Sequence, residues 1–381
     1  MSETITLIAT ASFGLESVVK YEVAELGFDI THVAPGRVEF VAAPADIPRA
    51  NLWLRCAERV LLKMGAFTAV TFDELFEQTK ALPWAEVITQ DGRFTVNATA
   101  AKSELLSDRS CQAIVKKAVV EALQDTYNVA WFPETGAEFT IEVSIFKDEA
   151  LLAIDTSGAG LHKRGYRLEG GVAPLQETLA AGLVMLSFWQ RERRLIDPMC
   201  GAGTILIEAA MLGRNMAPGL NRSFAAEGWP LVAEADWQTA RDAARQVALP
   251  AGDMDITGYD VDADAIAMAK RNAARAGVAD DIVFQQKDVH DLWIDRQYGI
   301  VISNPPYGRR LADYQALNDI YISLHKTFRK KTGWSVFILT ADKKFPNYFK
   351  RARPNRVRRL VNGPISVTYY QYHGEKPPRL A

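Results

Sequence analysis

The sequence predicts an α/β protein: an open, mostly parallel sheet wound by helices and closed by an antiparallel hairpin, preceded by small α+β units. Three observations carry this. From Leu195 to Leu339 short apolar runs alternate with helical stretches, the pattern of parallel strands joined by crossover helices. A glycine-rich turn, Cys200-Gly201-Ala202-Gly203, joins one such strand to a helix. The last β-rich stretches, near 357–361 and 367–372, lie close enough in sequence to form a hairpin.

A chain of 381 residues, 48% hydrophobic and 24% charged, suits a globular protein of two or three domains. No apolar run reaches membrane-spanning length and the first residues lack the basic segment of a signal peptide, so a cytoplasmic protein is expected. Cys56, Cys111 and Cys200 are far apart and the five histidines form no ligand pair, so neither disulfide nor metal is expected. Residues 1–157 hold 13 Lys+Arg against 23 Asp+Glu, a balance of −10, whereas the remainder holds 31 against 23, a balance of +8. Most of that excess lies in 326–359, with 12 basic residues (Lys350 and Arg351 among them) and one acid, Asp342. Interleaved with Phe345, Tyr348 and Phe349, it has the make-up of a polyanion-facing surface.

In chain order, a strand at 5–9 leads to a helix that Ser12 caps and Gly27 ends, then a strand at 37–41. Helical spacing at 51–64 uses Leu52, Leu54, Val60, Leu61 and Met64. A strand at 94–98, a helix at 107–123 and strands at 139–145 and 150–155 follow; Lys116 and Lys117 lie off the helix's apolar stripe, available to a polyanion. Residues 1–157 contain no catalytic cluster and fit an interaction or placement module. After the Gly158-Ala159-Gly160 boundary, Arg164, Tyr166 and Arg167 form a basic-aromatic piece that suits phosphate and base, or a solvated linker. A Gly170-Gly171 turn then precedes a helix from about Pro174 to Trp189.

The strand at 195–197 ends in Asp197-Pro198-Met199-Cys200-Gly201-Ala202-Gly203-Thr204, where glycines let a ligand approach the backbone at a helix N-terminus. It lacks GxGxxG and Gly-Lys-Ser/Thr, which argues against NAD and ATP. A second strand ends in Asp260-Val261-Asp262, where a ribose diol would be held. Residues 213–252 between them are an insertion. A helix at 263–276 and a strand at 282–285 lead to Asp288-Val289, whose acid could accept from an adenine amino group. Three acids on successive strand ends mark one pocket. Beside them, the buried run at 300–303 is stopped by Asn304-Pro305-Pro306-Tyr307, because proline cannot donate to a ladder. The Asn304 side-chain oxygen and the Pro305 carbonyl can accept both hydrogens of a planar exocyclic amine while Tyr307 stacks on its ring. A helix at 317–329 and a strand at 335–339 complete the sheet.

Together these stretches, with 160–167 and Ala173-Pro174-Leu175-Gln176-Glu177-Thr178-Leu179-Ala180-Ala181, resemble the bacterial THUMP-domain RNA methyltransferases, class I enzymes using S-adenosylmethionine. Within them the likeness is to the N-terminal methyltransferase half of the fused 23S ribosomal RNA guanine-N2 enzymes. It implies a ferredoxin-like unit at 1–50, a THUMP RNA-binding domain at 51–157 and a Rossmann-like methyltransferase domain at 158–381. It implies a cofactor pocket lined by Thr178, Asp197, Met199, Cys200, Gly201, Gly203, Thr204, Asp260, Val261, Asp288 and Val289, with catalysis at Asn304, Pro305, Pro306 and Tyr307. The expected substrate is ribosomal RNA, with guanine N2 ahead of adenine N6 on RNA or DNA, and a non-catalytic RNA scaffold as the remaining alternative. The fused relatives carry a second methyltransferase domain after the position of Ala381, so a single activity is expected here.

Overall fold

The computed structural model describes residues 4–167, 175–307, 311–351 and 353–376, without side chains at 311–314, and divides them into two units. The expected Gly170-Gly171 turn, Pro174 and Gly308 lie outside the described residues. The first unit comprises the chain to Thr10, Lys20–Leu161 and Arg222–Ala243; the second comprises Ala11–Val19, His162–Asn221 and the chain from Ala244.

The first sheet has seven strands: β1 (Ile5–Ala11), β2 (Asp29–Ala34), β3 (Arg37–Ala42), β4 (Ala57–Thr68), β5 (Arg93–Ala101), β6 (Glu138–Phe146) and β7 (Glu149–Asp155). Their order is β2-β3-β1-β4-β7-β6-β5, so the stretches expected as separate N-terminal units share one sheet. Helices α1 (Glu16–Glu25), α2 (Ile47–Trp53), α3 (Phe72–Lys80) and α4 (Asp108–Tyr127) accompany it. Ser107 caps α4, its hydroxyl accepting from Ser110 N at 3.2 Å.

Helical spacing at 51–64 is corrected. The helix ends at Trp53 and residues 57–68 form β4, with Leu62 opposite Ile154 of β7. A run buried on both faces reads alike in either conformation, and the pairing partners decide. The break between them is satisfied from inside: buried Glu22 accepts from Arg55 N (2.9 Å) and Cys56 N (3.0 Å).

The second sheet contains β8 (Leu195–Asp197), β9 (Ile256–Asp260), β10 (Ile282–Gln286), β11 (Gly299–Ser303), β12 (Trp334–Thr340), β13 (Arg356–Asn362) and β14 (Ile365–Tyr372). Its order is β10-β9-β8-β11-β12-β14-β13, parallel from β10 to β12 and antiparallel through the hairpin, as the alternating pattern predicts. Helix α5 (Glu177–Leu186) precedes β8 and α6 (Thr204–Gly213) follows it. In the insertion, Arg222–Ala243 belongs to the first unit: Trp229 stacks on Phe139 at 5.0 Å and donates to Glu138 O at 3.0 Å. Helix α7 (Glu234–Gln246) lies in this insertion, α8 (Ala263–Ala276) joins β9 to β10, and α9 (Leu311–Phe328) joins β11 to β12. Gly277, at φ +73°, ends α8 where the sequence places its stop. Tyr321 and Phe328 of α9 pack with Trp334 and Ile338 of β12 and hold that side of the parallel sheet rigid beneath the strand tips.

Candidate active site

The strand order sets the Asp288, Asp260, Asp197 and Asn304 strand ends in sequence across the sheet's C-terminal edge, where open α/β sheets bind ligands. A cleft of about 510 Å3 opens there, lined by Asp197, Met199, Cys200, Gly201, Thr204, Asp260 and Asn304, among others. That volume suits a nucleoside-sized ligand.

The glycine turn is built for close approach. Gly201 and Gly203 have φ of +51° and +80°, and a Cβ at Gly203 would fall 3.0 Å from the Phe284 ring. The turn is tied down on three sides: Cys200 N donates to Tyr259 O (2.8 Å), Gly201 N to Asp260 Oδ2 (2.9 Å), and Asn272 Nδ2 to Ala202 O (3.1 Å). The Asp260 carboxylate also accepts from Asp262 N at 3.0 Å. An ionised carboxylate has further lone pairs beyond these two bonds, so it can still accept from hydroxyl groups.

Asp197 is buried at the tip of β8 and accepts from Ser303 Oγ at 2.6 Å and Met199 N at 3.1 Å. Burial pushes its pKa up to about 7; the Ser303 and Met199 bonds pull it down, and Asp260 adds to the rise. The native state therefore holds a proton that the unfolded chain has released above its ordinary value of 3.8. Stability present below that value is lost as pH rises to about 7. Asp197→Asn is expected to flatten this part of the melting-temperature profile between pH 4 and 7, measured on the cofactor-free protein; an unchanged slope would place the titration elsewhere.

Asn304 lines the cleft, and its Oδ1 is buried with no hydrogen-bond partner among the described residues. Its amide and that of buried Asn362 (Nδ2 to hydroxyl, 3.4 Å) bond the Tyr307 hydroxyl. Burial raises the Tyr307 pKa and these bonds oppose the rise. The amide oxygen, unpartnered among the described residues, is the free acceptor. An unmet buried acceptor costs about 1–3 kcal/mol, which an incoming N–H donor relieves. Pro305 is buried and Pro306 exposed on the cleft wall. Ser303 and Asn362, absent from the expected set, thus tether the Asn-Pro-Pro-Tyr loop to the tip of β8 and to the hairpin.

Other expected residues fall differently. Thr178 is buried in the first turn of α5, and Thr178, Val261, Asp288 and Val289 are not among the cleft-lining residues. Val261 is exposed, Val289 belongs to the core, and Asp288 accepts from His290 N (2.9 Å) and sits 2.6 Å from its Nδ1. Arg164 and Tyr166, expected on RNA, are buried around Glu208 of α6: Arg164 Nε lies 3.5 Å from Oε1 and the Tyr166 hydroxyl donates to it at 3.0 Å. A buried carboxylate needs such partners, which takes both side chains off the surface. Arg167 also turns inward and lines the cleft. Arg351 is spent inside the fold, donating to Trp334 O (2.6 Å) and Lys331 O (2.8 Å). Lys350, Lys116 and Lys117 are exposed, although Lys117 faces Glu121 at 3.8 Å and lies over the Phe76 ring. Among the described residues no group of three His, Cys, Asp or Glu could hold a metal, and no helix is long and apolar enough to cross a membrane.

Parallel strands in this order, a glycine turn beneath acidic strand tips and an Asn-Pro-Pro-Tyr loop define a class I methyltransferase. Residues 164–371 match the family described as RMKL-like, methyltransferase domain, and the chain belongs to it; residues 6–61 match the RlmL ferredoxin-like domain and 69–155 the THUMP domain. A candidate RNA methyltransferase of Bacillus subtilis (strain 168), YpsC, is 44% identical over 98% of this chain and 97% of its own. A crystal structure from Listeria monocytogenes, named a predicted N6-adenine-specific DNA methylase, is 46% identical over 98% and 97% of the two chains, with a TM-score of 0.92. SMU.472, a candidate methyltransferase solved with S-adenosylhomocysteine (SAH), is 41% identical over 99% of this chain and 100% of its own, with a TM-score of 0.93.

The cofactor is S-adenosylmethionine, and the cleft's donor set fits it: acids for its cationic and hydroxyl groups beside a glycine turn. The bound cofactor supplies an activated methyl group on sulfur. The protein's share is then positioning, worth up to about 7–11 kcal/mol for well-oriented partners.

Proposed function

We propose that the protein methylates an exocyclic base amine of RNA, guanine N2 of 23S ribosomal RNA. The observation that carries the amine is the buried Asn304 Oδ1 on the cleft wall, unpartnered among the described residues. It and the Pro305 carbonyl hold the two N–H groups, so that the nitrogen lone pair leaves conjugation and faces the methyl group. RNA is supported by the THUMP match and by the B. subtilis relative's name; guanine N2 is supported by the motif resemblance. A stacked base must first be unpaired, at a few kcal/mol, of which Tyr307 stacking returns roughly 1–3 kcal/mol.

The Listeria relative's name favours a second reading, adenine N6. Incubation of the protein with 23S ribosomal RNA and labelled S-adenosylmethionine, followed by nucleoside mass spectrometry, separates the two. N2-methylguanosine is expected; N6-methyladenine, in the RNA or in a parallel incubation with DNA, selects the second reading, and methylation of neither amine overturns both.

Exposed cations Lys326, Lys343, Lys344, Lys350, Arg353 and Arg356 supply affinity without sequence preference. With about four to six phosphate contacts to a single strand, RNA affinity should fall roughly 50- to 300-fold between about 50 and 200 mM salt. Filter binding across that range checks it; a flat response removes this surface from the account.

A further inference from the structure

We propose that Arg167 binds the carboxylate of the cofactor's methionine portion, held ready for it by Glu177. The ligand is unevenly charged, with cationic sulfonium and ammonium groups and one carboxylate. The cleft lining carries three acids, Asp197, Asp260 and Asp262. Asp260 and Asp262 complement the cations and repel the carboxylate; buried Asp197, its pKa raised to about 7, contributes less. Among the described residues that line the cleft, Arg167 is the one cation.

Its placement is fixed by the fold. The side chain is only 12% exposed; Nη1 donates to Leu175 O at 2.9 Å, and Nη2 to Glu177 Oε2 at 2.8 Å. Glu177 is itself buried, in the first turn of α5. These two bonds engage one hydrogen on each terminal nitrogen, and the guanidinium fork has further N–H groups to offer a carboxylate. A pair serving packing alone would satisfy Glu177 equally well away from the cleft wall. Glu177 thus orients the fork, while Arg167 gives the cleft the polarity that distinguishes the amino-acid end of the cofactor from its sulfonium. The inference concerns the cofactor and holds whichever base is methylated.

Calorimetry on the full chain tests it with two ligands, SAH and its decarboxylated analogue S-(5′-adenosyl)-3-thiopropylamine, which lacks only the carboxylate. Arg167→Ala should weaken SAH about 10- to 100-fold and leave the analogue within about threefold. Arg167→Lys, which keeps the charge and loses the fork, should recover part of the SAH affinity. Equal weakening of both ligands by Arg167→Ala, or no change in either, overturns the proposal. If melting curves show that the alanine variant does not fold, Arg167→Lys decides: SAH weakened several-fold with the analogue unchanged supports the assignment, and parallel behaviour of the two ligands overturns it.

Discussion

Asn304→Ala should leave SAH binding within about threefold of wild type while single-turnover methyl transfer falls about 10²- to 10³-fold. The expectation follows from where the side chain lies. Its oxygen has no partner among the described residues, and the glycine turn is held by Asp260, Asn272 and Tyr259 without it. On the proposed function, its loss spares the cofactor side of the cleft and removes an acceptor for the amine. The same change frees the Tyr307 hydroxyl from one of its two side-chain partners. Tyr307→Phe is the control for that effect: it removes the hydroxyl, keeps the ring and the Asn304 oxygen, and should lose far less. Near-normal turnover in Asn304→Ala would mean that the amine is held elsewhere.

Asp260→Ala should act in the opposite order, weakening SAH about 10- to 100-fold by calorimetry and lowering turnover at saturating cofactor much less. A hydrogen bond to a charged group is worth about 1.5–3 kcal/mol, and Asp260 makes two within the protein. One of them holds the Gly201 N–H in place, so the substitution loosens the turn as well as removing the acceptor proposed for ribose hydroxyls. Unchanged affinity would exclude Asp260 from the cofactor site.

The contrast between these variants shows what in the sequence was legible. Apolar runs that stop at Asp197, Asp260 and Asn304 announce strands with polar tips, and the short crossover stretches imply that those tips share an edge. Burial on both faces hid β4, because Val60, Leu61 and Met64 satisfy a helical spacing although the strand buries Val60, Leu61 and Leu62 in succession. Strand β2 escaped for the opposite reason: its alternation is mostly exposed and polar. Arg164, Tyr166 and Arg167 look like a surface piece until Glu208 and Glu177, some tens of residues away or on another helix, draw them inward. Ser303 and Asn362 carry no local signal beyond a small polar residue at a strand end and an Asn-Gly turn. Their contacts with Asp197 and Tyr307 depend on which strands become neighbours, and that is a property of the assembled sheet.

In the proposed function one amide oxygen and one prolyl carbonyl hold the amine that receives the methyl group. A crystal structure of the protein with SAH and an RNA fragment bearing the target nucleotide tests it directly. The account predicts the exocyclic nitrogen within about 3.2 Å of both Asn304 Oδ1 and the Pro305 carbonyl, with the base against the Tyr307 ring. An amine bound by other groups, with the Asn304 oxygen still unpartnered, would contradict it.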